Sequence, residues 1–371
     1  MDRSNAYDIG IYTFWNVPNY GTFAQAYAMQ KIISSLQPKS DVRQIAYLPQ
    51  LHYDFYYSII PKTSKRSVSF YKELFKRIKP YSSFNKKKEL FLNNYATIPH
   101  TKNFNTKENL KETFFNTVII GSDIVWDFSF DIFDHDHFLF GNDFKANMVC
   151  AFSASFGTVK FGTSLPDYVQ EGIQKMHHIS VRDENSANIV EQITGNRPQV
   201  TLDPTWLWDF SNDDSVIQPQ EKNYLVVYGQ DFNSSFINQI ITYAQDKGMQ
   251  IICLDCNNDN YNWCDKIIRQ HELSPYQWLG YFKNATAVAT STFHGLTFSL
   301  VFNKPLAFCA TPFILSKADA FLKKVGLYDL YVNDSPDARK MFDYRWDFES
   351  INQVICEEKE KSIDVLKTFF T

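Results

Sequence analysis

Short apolar runs alternate with amphipathic stretches along most of this chain, and that rhythm leaves few architectures open. Residues 7–14 (YDIGIYTF), 42–48 (VRQIAYL), 117–123 (TVIIGSD), 148–155 (MVCAFSAS), 178–183 (HISVRD) and 199–203 (QVTLD) read as strands. Helical periodicity fills 22–36, 165–176 and 184–194, with Thr22 and Gln25 spaced as a capping box. A second set follows Asp203-Pro204: apolar runs at 224–230, 249–255, 287–292, 295–302 and 305–310, with helical stretches near 233–247 and 274–285. Strands alternating with helices predict parallel sheets covered on both faces. We expect an α/β protein of two Rossmann-like domains facing a cleft. The first spans 1–208, the polar stretch 209–223 is a linker, and the second spans 224–330. A helical segment, 331–371, ends in KEKSIDVLKTFF (359–370), whose apolar residues need a surface to cover and would pack back on the first domain.

Composition narrows the class. The chain has 371 residues, 44% of them hydrophobic, which suits two globular domains. A net charge of −4 gives no global reason to expect nucleic acid. MDRSNAYDIG lacks an apolar signal core, and no apolar run approaches the roughly 18 residues of a membrane span. The expected location is therefore cytoplasmic. Six cysteines in a chain of this length do not form a disulfide framework. Cys253 and Cys256 make a CLDC without a second tight pair, and 134–137 (DHDH) sits in a phenylalanine-rich stretch read as loop into strand. Neither predicts a metal site.

In α/β sheets, ligands bind beyond the carboxyl ends of the strands. After the first strand come Asn19, Tyr20 and Gly21, an amide, a phenol and free backbone at a helix start; the other reading is a turn and cap. After 117–120 come Ser122, Asp123 and Trp126. The carboxylate could cap or act, and the indole could face a sugar ring or simply pack. Ser153 and Ser155 form a small polar strand end. Arg182, Asp183 and Glu184 lie where a strand enters a helix; the arginine either binds an anion or pairs with Asp183, Glu184 or Asp203. In TSTFHGLTFS (290–299), His294 falls at a strand–helix seam beside Gly295, which would let a ligand approach the backbone. The helix dipole disfavours its protonated form and a bound phosphate favours it.

These pieces together resemble the polysaccharide pyruvyl transferase family. The matching segments are NYGTFAQAYAMQKII (19–33), VIIGSDIVW (118–126), ASFG (154–157), ISVRDENSANIV (179–190), TLDPTWLW (201–208) and STFHGLTFSLVFNKPL (291–306), in the family's order. The resemblance implies a fold like that of two-Rossmann-domain glycosyltransferases (GT-B-like). It also implies transfer of a pyruvyl group from phosphoenolpyruvate, the co-substrate, to sugar hydroxyls as a ketal, with no cofactor and no metal. His294 matches the family's histidine near phosphoenolpyruvate, and Arg182 matches an arginine used on the same ligand. Many members carry arginine two residues before that histidine; here it is Thr292, whose hydroxyl supplies no charge. On this basis Ser291, Thr292, Gly295, Ser153 and Ser155 are expected on the donor side. Asn19, Tyr20, Gly21 and Trp126 are expected on the acceptor side, with Asp183 or Asp123 as base. The alternatives are a nucleotide-sugar glycosyltransferase and a non-catalytic sugar-binding protein.

Residues 62–88 carry ten Lys and Arg against one acidic residue, Glu73, with Tyr71, Leu74, Phe75 and Ile78 on one helical face. Such a helix packs on its own domain or lies on an anionic membrane, where a lipid-linked saccharide acceptor would be met.

Overall fold

The computed structural model describes residues 6–58, 81–255, 259–332 and 336–371. Most of the basic stretch, 62–80, and Cys256 lie outside them. The chain divides into two compact units: Met1–Val181 with Asn185–Gln199, and Arg182–Glu184 with Val200–Thr371.

The first unit holds a six-stranded sheet, ordered β2-β1-β3-β4-β5-β6. Its strands are Ala6–Tyr12 (β1), Val42–Gln44 (β2), Phe114–Ile120 (β3), Lys145–Ala154 (β4), His178–Val181 (β5) and Gln199–Val200 (β6). The pairings of β1 with β2 and β3, of β3 with β4 and of β4 with β5 are parallel. The second unit holds a five-stranded parallel sheet, ordered β11-β10-β7-β8-β9. These strands are Tyr224–Tyr228 (β7), Gln250–Leu254 (β8), Lys266–Ile268 (β9), Ala287–Thr290 (β10) and Leu306–Phe308 (β11). Every residue of β7 and β10 is buried, as expected of strands covered on both faces.

The two Rossmann-like units of the expected α/β class are thus present. Their strand orders are the two common doubly wound ones. Each has a switch point where the order reverses: between β1 and β3 in the first unit, and between β7 and β10 in the second. The loops after those four strands carry most of the candidate residues.

Several elements differ from the sequence expectation. The first helix begins at Tyr20, not Thr22: Asn19 is its cap, and the Asn19 Oδ1 accepts the Thr22 amide at 3.0 Å. Thr22 and Gln25, both buried, turn inward instead, to Asp123 and to Thr13. The DHDH stretch enters no strand; its first three residues join the 3₁₀ turns Asp131–Phe133 and His137–Phe140, and His137 begins the second.

The boundary between the units falls at 199/200, so 200–223 belongs to the second unit. The polar stretch 209–223 lies on the helix Pro275–Asn284, with Val216 buried and the Ile217 amide donating to the Tyr276 carbonyl at 3.1 Å. Gly280 makes this possible, since a Cβ there would stand 1.8 Å from the Ile217 carbonyl oxygen. The closing helix runs Phe348–Lys367 and belongs to the second unit, where it packs on the short helix Pro204–Leu207. Its Ser362 hydroxyl accepts the Leu202 amide at 3.0 Å. The surface its apolar residues cover is therefore in the second unit.

Among the described residues no helix is long and apolar enough to cross a membrane.

Candidate functional site

The switch point of the first unit is built from polar backbone and small side chains. Asp123 adopts φ 75° just beyond β3, and its own Oδ1 accepts the Ile124 amide at 2.9 Å. The Thr22 hydroxyl, from the first helix, donates to its Oδ2 at 3.3 Å. The loop after β3 is braced from β4: the Ser155 amide donates to the Asp123 carbonyl, and the Ser122 hydroxyl to the Ser153 carbonyl. Ser153 and Ser155 are fully buried, so they shape this loop and do not line an open face. The Ser155 hydroxyl itself accepts the Gly157 amide at 3.0 Å.

Two expected acceptor contacts are packed away. Trp126 is 0% exposed; its indole N–H donates to the Leu139 carbonyl at 2.7 Å and its ring meets Phe156. Tyr20 is also 0% exposed, its ring 5.2 Å from that of Phe91. Apolar burial of two such rings outweighs any role as an open sugar platform. Gly21 is buried in the first helical turn, whereas Asn19 is exposed. Asp123 and Asn19 therefore remain as polar groups bordering this switch point. Tyr56, not singled out by the sequence, joins them: burial, then the charge of Asp123, raises its phenol to about 12.

The switch point of the second unit is more tightly knit. The Ser291 hydroxyl accepts the Gln230 amide at 2.8 Å. Gly229, at φ 133°, is required where it approaches that hydroxyl; a Cβ there would sit 2.3 Å from it. Thr292 caps the helix Phe293–Val301, its hydroxyl accepting the Gly295 amide at 3.0 Å. The Thr290 hydroxyl donates to the Tyr228 carbonyl at 2.6 Å. The Ser291 hydroxyl keeps one proton that it can donate, whereas the Thr292 hydroxyl lies 3.2 Å from the Thr290 Oγ1, whose own proton goes to Tyr228, and so donates there. Gly295 serves packing: a Cβ would meet the Thr290 Oγ1 at 2.1 Å, so the side that seemed open to a ligand is filled by that threonine. Half-buried His294 is the second residue of this helix, at the positive end of its dipole.

Arg182 reaches the same place from just beyond β5. Its Nη1 donates to the Asp203 Oδ2 at 2.9 Å, with both side chains almost wholly buried. Its guanidinium also lies 5.2 Å from the centre of the Phe293 ring. Of the three carboxylates the sequence offered, Asp203 is thus a partner of Arg182, and Asp183 is half-buried beside it in the chain. Asp203 caps Pro204–Leu207, its Oδ1 accepting the Thr205 amide at 3.0 Å and hydroxyl at 2.7 Å. Burial alone would raise the Asp203 carboxyl. The charges of Arg182 and His294 and the two Thr205 hydrogen bonds outweigh it, holding the group below its ordinary value.

A cavity of about 50 Å³ adjoins Arg182, Asp203 and Phe293. Arg182, Asp203, Trp206 and Phe293 line it, with Lys317, Lys324 and Glu358 from the helices Pro312–Lys324 and Phe348–Lys367. Lys324 is ion-paired with Glu358. Asp203 was not a sequence candidate for the site itself; the signal for it was the Asp-Pro pair, a cap followed by proline at the first helical position.

Among the described residues no cluster of three or more His, Cys, Asp or Glu could hold a metal ion. The DHDH side chains diverge: Asp134 pairs with Lys107, Asp136 accepts from the Tyr12 hydroxyl, and His137 stacks on Tyr168 at 4.5 Å. Cys253 is buried in β8.

No curated protein matches the chain in sequence. Solved structures that resemble it include the S. aureus MnaA–UDP co-structure, at 11% identity over 95% of this chain and 91% of that one, TM-score 0.48. A putative UDP-N-acetylglucosamine 2-epimerase from Listeria monocytogenes has 9% identity over 97% and 91%, TM-score 0.48. The E. coli heptosyltransferase WaaC with ADP has 12% identity over 95% and 99%, TM-score 0.40. The family model for polysaccharide pyruvyl transferase matches residues 19–311, which hold the loops after β3, β4, β5 and β10. The chain belongs to the polysaccharide pyruvyl transferase family.

Proposed function

We propose that this protein transfers the pyruvyl group of phosphoenolpyruvate to two hydroxyls of a saccharide, forming a cyclic ketal in the synthesis of a surface polysaccharide such as a capsule. The observation that supports this reading is the buried Arg182–Asp203 pair, with its guanidinium 5.2 Å from the ring of Phe293, the residue before His294 at the helix start, in a chain of this family.

The chemistry has defined needs. A proton is added to C3 of phosphoenolpyruvate, and C2 gains oxocarbenium character. One sugar oxygen bonds to C2; the C2–O bond to phosphate breaks and phosphate leaves; a second sugar oxygen bonds to C2. Of the two hydroxyl protons lost, one balances C3 and one leaves with phosphate. Arg182 and His294 serve the anionic donor, with His294 at the phosphate or in proton transfer. Positioned charge and general acid–base help are typically worth ~10²–10⁴-fold each. Thr292 brings no cation where many relatives have arginine, so Arg182 and His294 carry more of that charge here. Asp123 or Asp183 is the candidate base for the sugar hydroxyl, and Asn19 and Tyr56 border Asp123 on the acceptor side. Where the acceptor is lipid-linked, the basic stretch 62–88 would hold the enzyme at an anionic membrane.

The test is phosphate release from phosphoenolpyruvate, dependent on added saccharide. The His294→Ala variant should abolish it while keeping the native melting transition. Near-normal release by that variant would remove His294 from the chemistry. Protection from heat by a nucleotide sugar, with none by phosphoenolpyruvate, would instead favour a glycosyltransferase.

A further inference from the structure

A groove of about 470 Å³ opens on the first unit at the amino end of β2, within the size range of ligand sites. It is lined by residues 40–43, by residues 96–100, and by Gln30 and Ser34 of the helix Tyr20–Leu36. The edge of the sheet explains why it is there. Segment 99–101 runs beside β2 at Gln44, whose amide donates to the Pro99 carbonyl and whose carbonyl accepts the Thr101 amide, both at 2.9 Å. Two residues earlier the Val42 carbonyl accepts the Gln30 Nε2 at 2.8 Å instead. The helix starts at the switch point, capped by Asn19, and runs back to this groove. At 1.5 Å per residue, Ser34 stands about 22 Å along it from Asn19, so the groove is not the switch point.

Its polar groups are mixed in kind. Gln30 is 3% exposed; its Nε2 is spent on Val42 and on the Ser34 Oγ at 3.2 Å, and its Oε1 has no partner among the described residues. A buried carbonyl oxygen left unpaired is costly, and a ligand donor entering beside it would supply the missing bond. The Ser34 hydroxyl accepts from Gln30 and keeps its own proton to donate. The His100 Nδ1 lies 2.8 Å from the Ile98 carbonyl, so a neutral imidazole holds its proton there and leaves Nε2 as an acceptor. Arg43 donates through Nε to the Asp41 Oδ1 at 2.6 Å and through Nη1 to the His100 carbonyl at 3.4 Å. That leaves to a ligand, among the described residues, the Arg43 Nη2 and the Asp41 Oδ2. The pair is neutral overall, so an anion would face Asp41 and a cation would face Arg43. Pro99, exposed, and Val42 add apolar surface.

We propose that this groove is a second binding site, separate from the switch points, and that it takes a neutral saccharide. A sugar offers what the lining asks for: hydroxyls that both donate and accept, no net charge, and C–H faces for Pro99 and Val42. Asp41 and Arg43 take adjacent hydroxyls with charge-assisted hydrogen bonds. Ser34, Gln30 and His100 receive the others. In an enzyme of a polysaccharide-modifying family, such a site holds the chain at a place other than the reacting unit. The site does not depend on the pyruvyl reading, since none of these residues takes part in that chemistry.

The test reads the groove without turnover. Histidine rings are labelled with ¹³C in the full chain, and the His100 signal is assigned by its loss in His100→Gln. Glucose, galactose, rhamnose, N-acetylglucosamine, maltose and lactose are titrated in turn, in millimolar excess. We expect at least one to move the His100 signal saturably. Asp41→Ala and Arg43→Ala should each raise the half-saturating concentration about tenfold, the loss of hydrogen bonds to a charged group. Ser34→Ala should raise it less. Asp123→Asn, at the switch point, should leave it unchanged. The Asp41 and Arg43 side chains are 47% and 40% exposed, so their removal spares the core; where one variant fails to fold, the other and Ser34→Ala decide. No response to any of the six sugars, or an unchanged half-saturation in both charge variants, overturns the proposal. So does a response lost as fully in Asp123→Asn as in Arg43→Ala, which would place the sugar at the switch point. Inorganic phosphate moving the signal at lower concentration than every sugar would make this an anion site instead. A shift on raising protein concentration alone would give the edge to a second copy of the chain. The pyruvyl reading stands or falls apart from all of these, on phosphate release from phosphoenolpyruvate.

Discussion

Gly295 lies so close to Thr290 that a methyl group on the glycine would stand 2.1 Å from the threonine Oγ1. That threonine is itself held by the Tyr228 carbonyl at 2.6 Å, so it cannot simply turn away. The helix bearing His294 is thereby seated against the end of β10. Alanine normally strengthens a helix by about 1 kcal/mol over glycine. Here Gly295→Ala should destabilise by roughly 1–3 kcal/mol, the ordinary cost of overpacking. A denaturant melt reads the sign, and a stabilised variant would refute the packing account.

Arg182→Met should be more damaging than its exposure suggests, because it leaves Asp203 charged and buried. Breaking a buried pair from one side costs roughly 3–5 kcal/mol. The pH dependence should change sign as well. In the wild type the Asp203 carboxyl is depressed, so its contribution is present above the unfolded carboxyl value and is lost as pH falls through the lower folded value. Without Arg182, burial dominates and raises the carboxyl, so that contribution is lost as pH rises. Melts of Arg182→Met across pH 3–8 should show stability relative to wild type worsening with pH. A constant offset would show that Asp203 does not feel the arginine.

Asp136 provides a pH effect in the first unit. Burial pushes its carboxyl up to about 6, against the hydrogen bond from Tyr12 and the charge of Lys107. A raised carboxyl favours folding below the unfolded value and loses that advantage as pH rises through about 6. Its ionisation therefore weighs against the fold at neutral pH by roughly 2–4 kcal/mol. Asp136→Asn should be more stable than the wild type at pH 8 and should lose that lead below pH 4. Parallel melting curves at pH 4, 6 and 8 with no change in the gap would count against this.

Leu51 and Phe55 lie one turn apart on the helix Gln50–Tyr57, 36% and 56% exposed. They precede the basic stretch in sequence, and Lys86 at its far end is exposed. Sedimentation with anionic vesicles at low salt is expected, with loss in high salt and weakening in Phe55→Ser and in Lys86→Gln with Lys87→Gln. No sedimentation with anionic vesicles at low salt would end the membrane reading. Concentration-dependent dimers lost in Phe55→Ser would assign the face to a second copy of the chain.

The seam at His294 is legible in the sequence because one apolar run ends there and another begins beside a glycine, signals that depend on neighbours in the chain. The Thr292 cap of the following helix shows only in the structure. The choice of Asp203 over Asp183 or Glu184 as partner for Arg182 depends on how β5 and the Asp203-Pro204 turn come together, which no local pattern carries. Trp126 and Tyr20 sit at strand and helix ends, where a ring can face solvent or turn inward with the same neighbours; only the packing of Phe156 and Phe91 decides. The polar stretch 209–223 reads as a linker because its side chains are hydrophilic, whereas what binds it is backbone lying on Gly280.

The second unit is discontinuous in sequence, since Arg182–Glu184 belongs to it while Asn185–Gln199 does not. Its buried carboxylate thus receives its counter-charge from a stretch of chain translated earlier, on the far side of a helix of the first unit. A fragment beginning at Val200 would retain all five strands of its sheet and still strand Asp203 in a dry interior without Arg182. Cutting this protein in two at any single peptide bond between residues 184 and 200 separates the pair. The two halves, though each has its own sheet, are not independent modules to be exchanged or expressed apart.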